Sequence, residues 1–152
     1  MKDINEILMQ TAKAGSEDQL KALLNDPKYN ALAVSRTYGQ TALMVSAFAG
    51  HNHCVEILLP VSDPLAQDKY GWTALMGAAM YGHEACIKFL LPVSDPLARA
   101  ENGATASSLA KIMGNKSLSY LIDAYVLAQS EQTAISVAAR DGSPRGRAAP
   151  RM

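Results

Sequence analysis

The chain is short of nearly everything that would point to a specialised class. It has only two cysteines in 152 residues, too few for the disulfide framework of a small secreted domain. It has no excess charge, since fourteen basic residues balance fourteen acidic ones. No global field therefore steers it onto nucleic acid or an anionic membrane, and only a local patch could do so. No stretch approaches the roughly 20 consecutive apolar residues of a membrane-spanning helix. The opening MKDINEILMQ is polar and periodic and lacks the apolar run of a signal peptide. There is no Gly-rich phosphate loop and no nucleophile elbow. What remains is a 49% apolar, 18% charged composition, which fits a folded chain with one sizeable core. These absences predict a soluble protein of a reducing compartment, the cytoplasm.

What is present is internal repetition. Gly39-Gln40-Thr41-Ala42-Leu43-Met44 returns 32 residues later as Gly71-Trp72-Thr73-Ala74-Leu75-Met76. LLPVSDPLA at Leu58–Ala66 returns at Leu90–Ala98, and Gly50-His51 returns as Gly82-His83, both at the same offset. A third copy starts at Gly103-Ala104-Thr105-Ala106 and reaches Gly114-Asn115. A fainter copy opens the chain, where Gly15 and Leu23-Leu24 match Gly50 and Leu58-Leu59 at an offset of 35. The three extra residues fall in the loop around Asp26–Asn30. Periods of this length mark stacked-repeat architectures.

Each copy reads as helix, turn, helix, long connector. Thr41 is placed to cap the first helix through its hydroxyl. Gly50 can end it in the left-handed conformation. Cys54, Val55, Leu58 and Leu59 lie at helical spacing in a second helix from about Asn52 to Leu59. Pro60 stops that helix, having no N–H to donate. Asp63 and Asp95 precede prolines and read as turn formers. The whole is an all-α architecture of repeats at about 1–35, 36–67, 68–99 and 100–128, the outer two acting as polar caps. Residues 129–152 include Gly142-Ser143-Pro144 and Arg145-Gly146-Arg147, a composition predicting a disordered tail. A short helix over Thr133–Arg140 is compatible with it.

These motifs resemble the ankyrin repeat, a unit of about 33 residues with a Thr-Pro-Leu-His signature. Thr41-Ala42-Leu43-Met44 and Thr73-Ala74-Leu75-Met76 stand in its place, and the likeness spans roughly residues 4 to 127. Methionine replaces the signature histidine and alanine its proline. Ser107 takes the place of a buried leucine. The resemblance implies a solenoid of stacked helix-turn-helix pairs with extended connecting loops. It implies a non-catalytic protein-interaction module, an adaptor, inhibitor or effector, for a protein or peptide partner. It implies that His51 and His83 tie down the inter-helix turn. It also implies a concave face made of loop tips and the exposed ends of the first helices.

By register that face holds Tyr38, Gln40, Lys69, Tyr70, Trp72 and Asn102 at the tips, and Phe48, Met80, Tyr81 and Met113 at the helix ends. The only tryptophan, one of two phenylalanines and three of six tyrosines fall there. Aromatic residues and methionine are the side chains that interface cores favour. The expected partner surface is therefore this aromatic patch.

Other chemistry is weaker. His51-Asn52-His53-Cys54 is the only metal-like cluster, but its residues diverge around one helical turn and no second ligand pair follows. Cys54 and Cys86 occupy equivalent positions in stacked helices about 8–10 Å apart, beyond disulfide reach. No metal, no cofactor and no catalysis are expected. The alternative function is nucleic-acid association through Arg140, Arg145, Arg147 and Arg151, which lack interleaved aromatics.

Overall fold

The computed structural model describes residues 3–141. Among them the chain forms eight α-helices in four antiparallel pairs. They are α1 (Ile4–Ala14), α2 (Glu17–Leu24), α3 (Ala42–Ala49), α4 (Asn52–Leu58), α5 (Ala74–Met80), α6 (Glu84–Leu90), α7 (Ala106–Ile112) and α8 (Lys116–Asp141). The first helices α1, α3, α5 and α7 pack side by side in one row, and α2, α4 and α6 form a second. This is the expected stack of helix-turn-helix units.

The short helices are fixed by their ends. The hydroxyls of Thr41 and Thr73 accept the backbone N–H of Met44 and Met76, each at 3.2 Å. Thr105 does the same for Ser108, whose own hydroxyl accepts the Thr105 N–H at 2.9 Å. This reciprocal capping satisfies two orphan donors of the first turn. Gly50 caps α3 in the left-handed region at φ 83°. Its neighbour imposes a second demand, because a Cβ there would sit 2.6 Å from the His83 ring.

His51 and His83 act between repeats rather than within one turn. His83 Nε2 bonds the Phe48 carbonyl of the preceding repeat at 3.1 Å, and His51 Nε2 bonds the Lys13 carbonyl at 2.9 Å. Each histidine thus satisfies a carbonyl that the preceding repeat's first helix leaves open at its end. The expected tie exists, but it staples neighbouring repeats together.

The core runs along the stack and is built from Leu8, Leu20, Leu43, Met44, Leu58, Leu75, Met76, Ile87, Leu90 and Ile122, with alanines between the first helices. Met44 and Met76 are fully buried. Ser107 meets Ser119 through their hydroxyls at 2.9 Å, so the missing leucine is replaced by a polar contact between α7 and α8.

The connectors form a second set of inter-repeat links. Lys69 N–H bonds the Tyr38 carbonyl at 3.0 Å, and Glu101 N–H bonds the Tyr70 carbonyl at 2.9 Å. The carboxylates of Asp63 and Asp95 accept the N–H two residues on, each at 2.9 Å, forming the turns their prolines suggested. Asp68 accepts from both Tyr70 and Trp72 N–H at 2.9 Å. That one carboxylate holds the loop tip in shape.

The expected boundary after Ala128 falls inside α8, which continues to Asp141. Residues 116–141 contain neither glycine nor proline, and the part of the expected disordered tail from residue 142 onward lies outside the described residues. Ser130 and Thr133 hydroxyls return to the carbonyls four residues back, at 3.1 and 2.9 Å. Helix propensity therefore carries the chain beyond the point where burial ends.

Candidate partner-binding groove

The groove is built from three successive first helices and the first loop tip. A cavity of about 550 Å³ opens between them. Tyr38 and Gln40 come from the loop, Val45 and Phe48 from α3, and Tyr81 from the end of α5. The facing wall is α1, which contributes Glu6, Met9, Gln10 and Lys13. Four of the ten expected binding residues are thus brought together: Tyr38, Gln40, Phe48 and Tyr81. Tyr38 and Tyr81 are 48% and 55% exposed, leaving half of each ring free.

The other six lie outside the cavity and divide by what they touch. Tyr70 is 52% exposed and continues the surface from Tyr38, with ring centroids 6.5 Å apart. Trp72 and Met80 are half-buried and pack on the core, as does Phe48 within the cavity. The Trp72 ring meets Phe48 edge-on at 6.2 Å, a favourable arrangement for aromatic quadrupoles. These three rest on the stack, and tyrosines supply most of the free aromatic area. Met113 is half-exposed at the end of α7.

Lys69 and Asn102 are engaged in shaping the loops. Lys69 Nζ donates to the Arg36 and Thr37 carbonyls, each at 2.8 Å, tying one loop tip to the next. Asn102 Oδ1 accepts the Ala104 N–H at 3.0 Å and forms the turn of its own tip. Both side chains hold the tips in place.

The α1 wall does not stand out in the sequence because its polar residues read as a cap. The signal was nonetheless there. Glu6, Gln10 and Lys13 lie at i, i+4 and i+7, one face of a helix. In the 35-residue register of the first repeat, Lys13 stands where Phe48 stands in the second.

The candidate metal cluster does not converge. His51 turns to Lys13, His53 Nδ1 lies 3.8 Å from Glu56, and Cys54 is buried. Among the described residues no group of three or more His, Cys, Asp or Glu side chains is placed to hold a metal. Cys54 and Cys86 are free and buried. Burial pushes the Cys86 thiol up to about 11. Cys54 is also raised, by burial first and then by the Glu17 carboxylate. Neutral buried thiols are small hydrophobes rather than nucleophiles. No helix among the described residues is long and apolar enough to cross a membrane. The Arg140 side chain and Arg145, Arg147 and Arg151 lie outside the described residues.

No curated protein matches the chain. A family model described as ankyrin repeats, in three copies, matches residues 8–100. Capped helix pairs, inter-repeat histidines, linked loop tips and this match agree, and the chain belongs to the ankyrin-repeat family.

Proposed function

We propose that this protein is a non-catalytic interaction module that binds a protein or peptide in the groove between α1, α3 and α5. Ankyrin repeats are in general protein–protein interaction modules. The observation that carries the reading is the pair Tyr38 and Tyr81. Both line the cavity, and both remain half-exposed. Large aromatic rings half-open to water are the residues that supply binding energy when a partner desolvates them.

The mechanism is rigid display. The loop that carries Tyr38 is held by Lys69 and by the Lys69 amide. The turn that carries Tyr81 is held between Gly77 and His83, with Tyr81 N–H on the Gly77 carbonyl at 3.1 Å. Little ordering entropy is then lost when a partner docks. The protein acts as an adaptor, inhibitor or effector through that partner.

The test compares wild-type chain with a Tyr38→Ala/Tyr81→Ala variant in affinity capture from a lysate of the source cells. Retention by wild type and loss by the variant, with unchanged thermal unfolding, supports the groove. Equal retention by both chains contradicts it. Trp72 is left intact in this variant because it packs against Phe48 and the core.

A further inference from the structure

The groove is polarised, and its polarity specifies the partner. This rests on the groove being the binding surface. Glu6 stands in the first turn of α1 and Lys13 in the last. Both line the cavity. Seven residues along one helix separate them by about 10.5 Å on one face. Glu6 therefore lies at the loop end beside Tyr38, and Lys13 at the far end beside Phe48 and Tyr81. Between them the floor is apolar, with Met9 and Val45.

Neither charge is neutralised by a described ion pair. Among the described residues, the Glu6 carboxylate accepts from the Gln10 amide of its own helix, at 3.4 Å. Among the described residues, the neighbouring cations Arg36 and Lys69 are engaged elsewhere. Arg36 Nε lies 2.9 Å from the Asp3 carboxylate, and the Lys69 ammonium is turned to the Arg36 and Thr37 carbonyls. The loop end of the cavity thus keeps the sign of Glu6, and the other end keeps the sign of Lys13.

We infer that the groove takes an extended peptide segment in which a basic and an acidic residue bracket an aliphatic or aromatic anchor. The basic side chain lies over Glu6 and the acidic one over Lys13. An extended chain advances about 3.4 Å per residue and its side chains alternate between two faces, so the two charges stand four positions apart, with the anchor midway on the same face. The anchor enters between Tyr38 and Tyr81 and covers Met9, Val45 and Phe48. Charges at exposed sites contribute orientation and specificity more than affinity. The expected discrimination is up to roughly fivefold for each charge.

A phage-displayed library of random dodecapeptides, panned on the immobilised full chain, tests this. Wild type should enrich peptides with a basic and an acidic residue four positions apart around an apolar one. A synthetic peptide of that pattern should bind up to roughly fivefold more weakly to Glu6→Lys and to Lys13→Glu. The Glu6→Lys/Lys13→Glu double variant should prefer the same peptide with its two charges exchanged. Enriched peptides that ignore the charge variants but are lost by Tyr38→Ala/Tyr81→Ala overturn the polarity and leave the groove standing. Peptides that bind Tyr38→Ala/Tyr81→Ala as tightly as wild type overturn both. Enrichment of no peptide overturns an extended peptide as the occupant.

Discussion

The Phe48 ring occupies the space that a side chain at position 77 would fill. A Cβ built on Gly77 collides with Phe48 Cδ1 and Cε1. Gly77 lies inside α5, fully in register with its helix, where glycine costs up to about 1 kcal/mol against alanine. The helix carries that cost because the missing side chain makes a socket for a ring from α3. Phe48 in turn supports Trp72.

The socket has a distinctive signature under mutation. Gly77→Ala should destabilise the wild-type chain by about 1 kcal/mol. Overpacking costs about 1–3 kcal/mol and the helix regains part of it. In a Phe48→Ala background the same change should stabilise by about 0.5–1 kcal/mol, because only the propensity gain remains. Urea unfolding of the four chains measures this. A change of the same sign in both backgrounds would show that Phe48 does not fill the socket.

Gly50 should behave differently. Its φ of 83° is disfavoured for any other residue, and a Cβ meets the His83 ring at 2.6 Å. Gly50→Ala should cost about 1–2 kcal/mol from the backbone conformation alone. His83→Ala should relieve the collision and leave that backbone cost in place. Full rescue by His83→Ala would assign the whole effect to the ring.

His83→Ala alone removes the bond to the Phe48 carbonyl. The expected loss is about 0.5–1.5 kcal/mol. Hydrogen exchange should quicken at the α3 end and the α5–α6 turn together, since the bond joins two repeats. Quickening confined to the α5–α6 turn would place the histidine's role within its own repeat.

Cys86 gives a pH dependence of definite sign. Its thiol is raised from 9.0 to about 11 in the folded chain. The folded state therefore holds its proton where the unfolded state has lost it. This contribution to stability is complete below pH 9, declines as pH rises through that window, and is gone above about 11. The difference in stability between wild type and Cys86→Ala should shift against wild type between those values. A difference that stays flat across the window would mean the thiol is solvated in the folded chain. Alkylation of Cys86 by iodoacetamide at pH 8 should likewise require unfolding.

Much of the fold was legible because repetition doubles every signal. Thr41 and Thr73 declare the same cap twice, and Pro60 and Pro92 the same stop. Relations between repeats were less visible, since a 32-residue period says where equivalent atoms recur but not which neighbours they touch. The bonds from His51 and His83 to the preceding repeat, and from Lys69 to the loop before it, needed coordinates. Repeat register groups the candidate residues by position, and the contacts of each side chain show what that position engages. Tyr38 and Tyr81 hold repeat positions that the sequence makes visible, and both line the same cavity. Nothing in the sequence said that Phe48, Trp72 and Met80 would settle on the core, or that Lys69 and Asn102 would be spent on loop geometry. The α1 wall was hidden by its polarity, and the length of α8 by a composition judged over residues 129–152 as one segment.

The most direct test of the proposed groove is site-specific photo-crosslinking. A benzophenone amino acid is placed at Tyr81, at Tyr38, or at the exposed Lys88 of α6 on the other row, and each chain is irradiated in lysate of the source cells. The expected result is the same discrete adduct from positions 81 and 38 and none from 88. An adduct from position 88 alone would place the partner on the opposite face and contradict the groove.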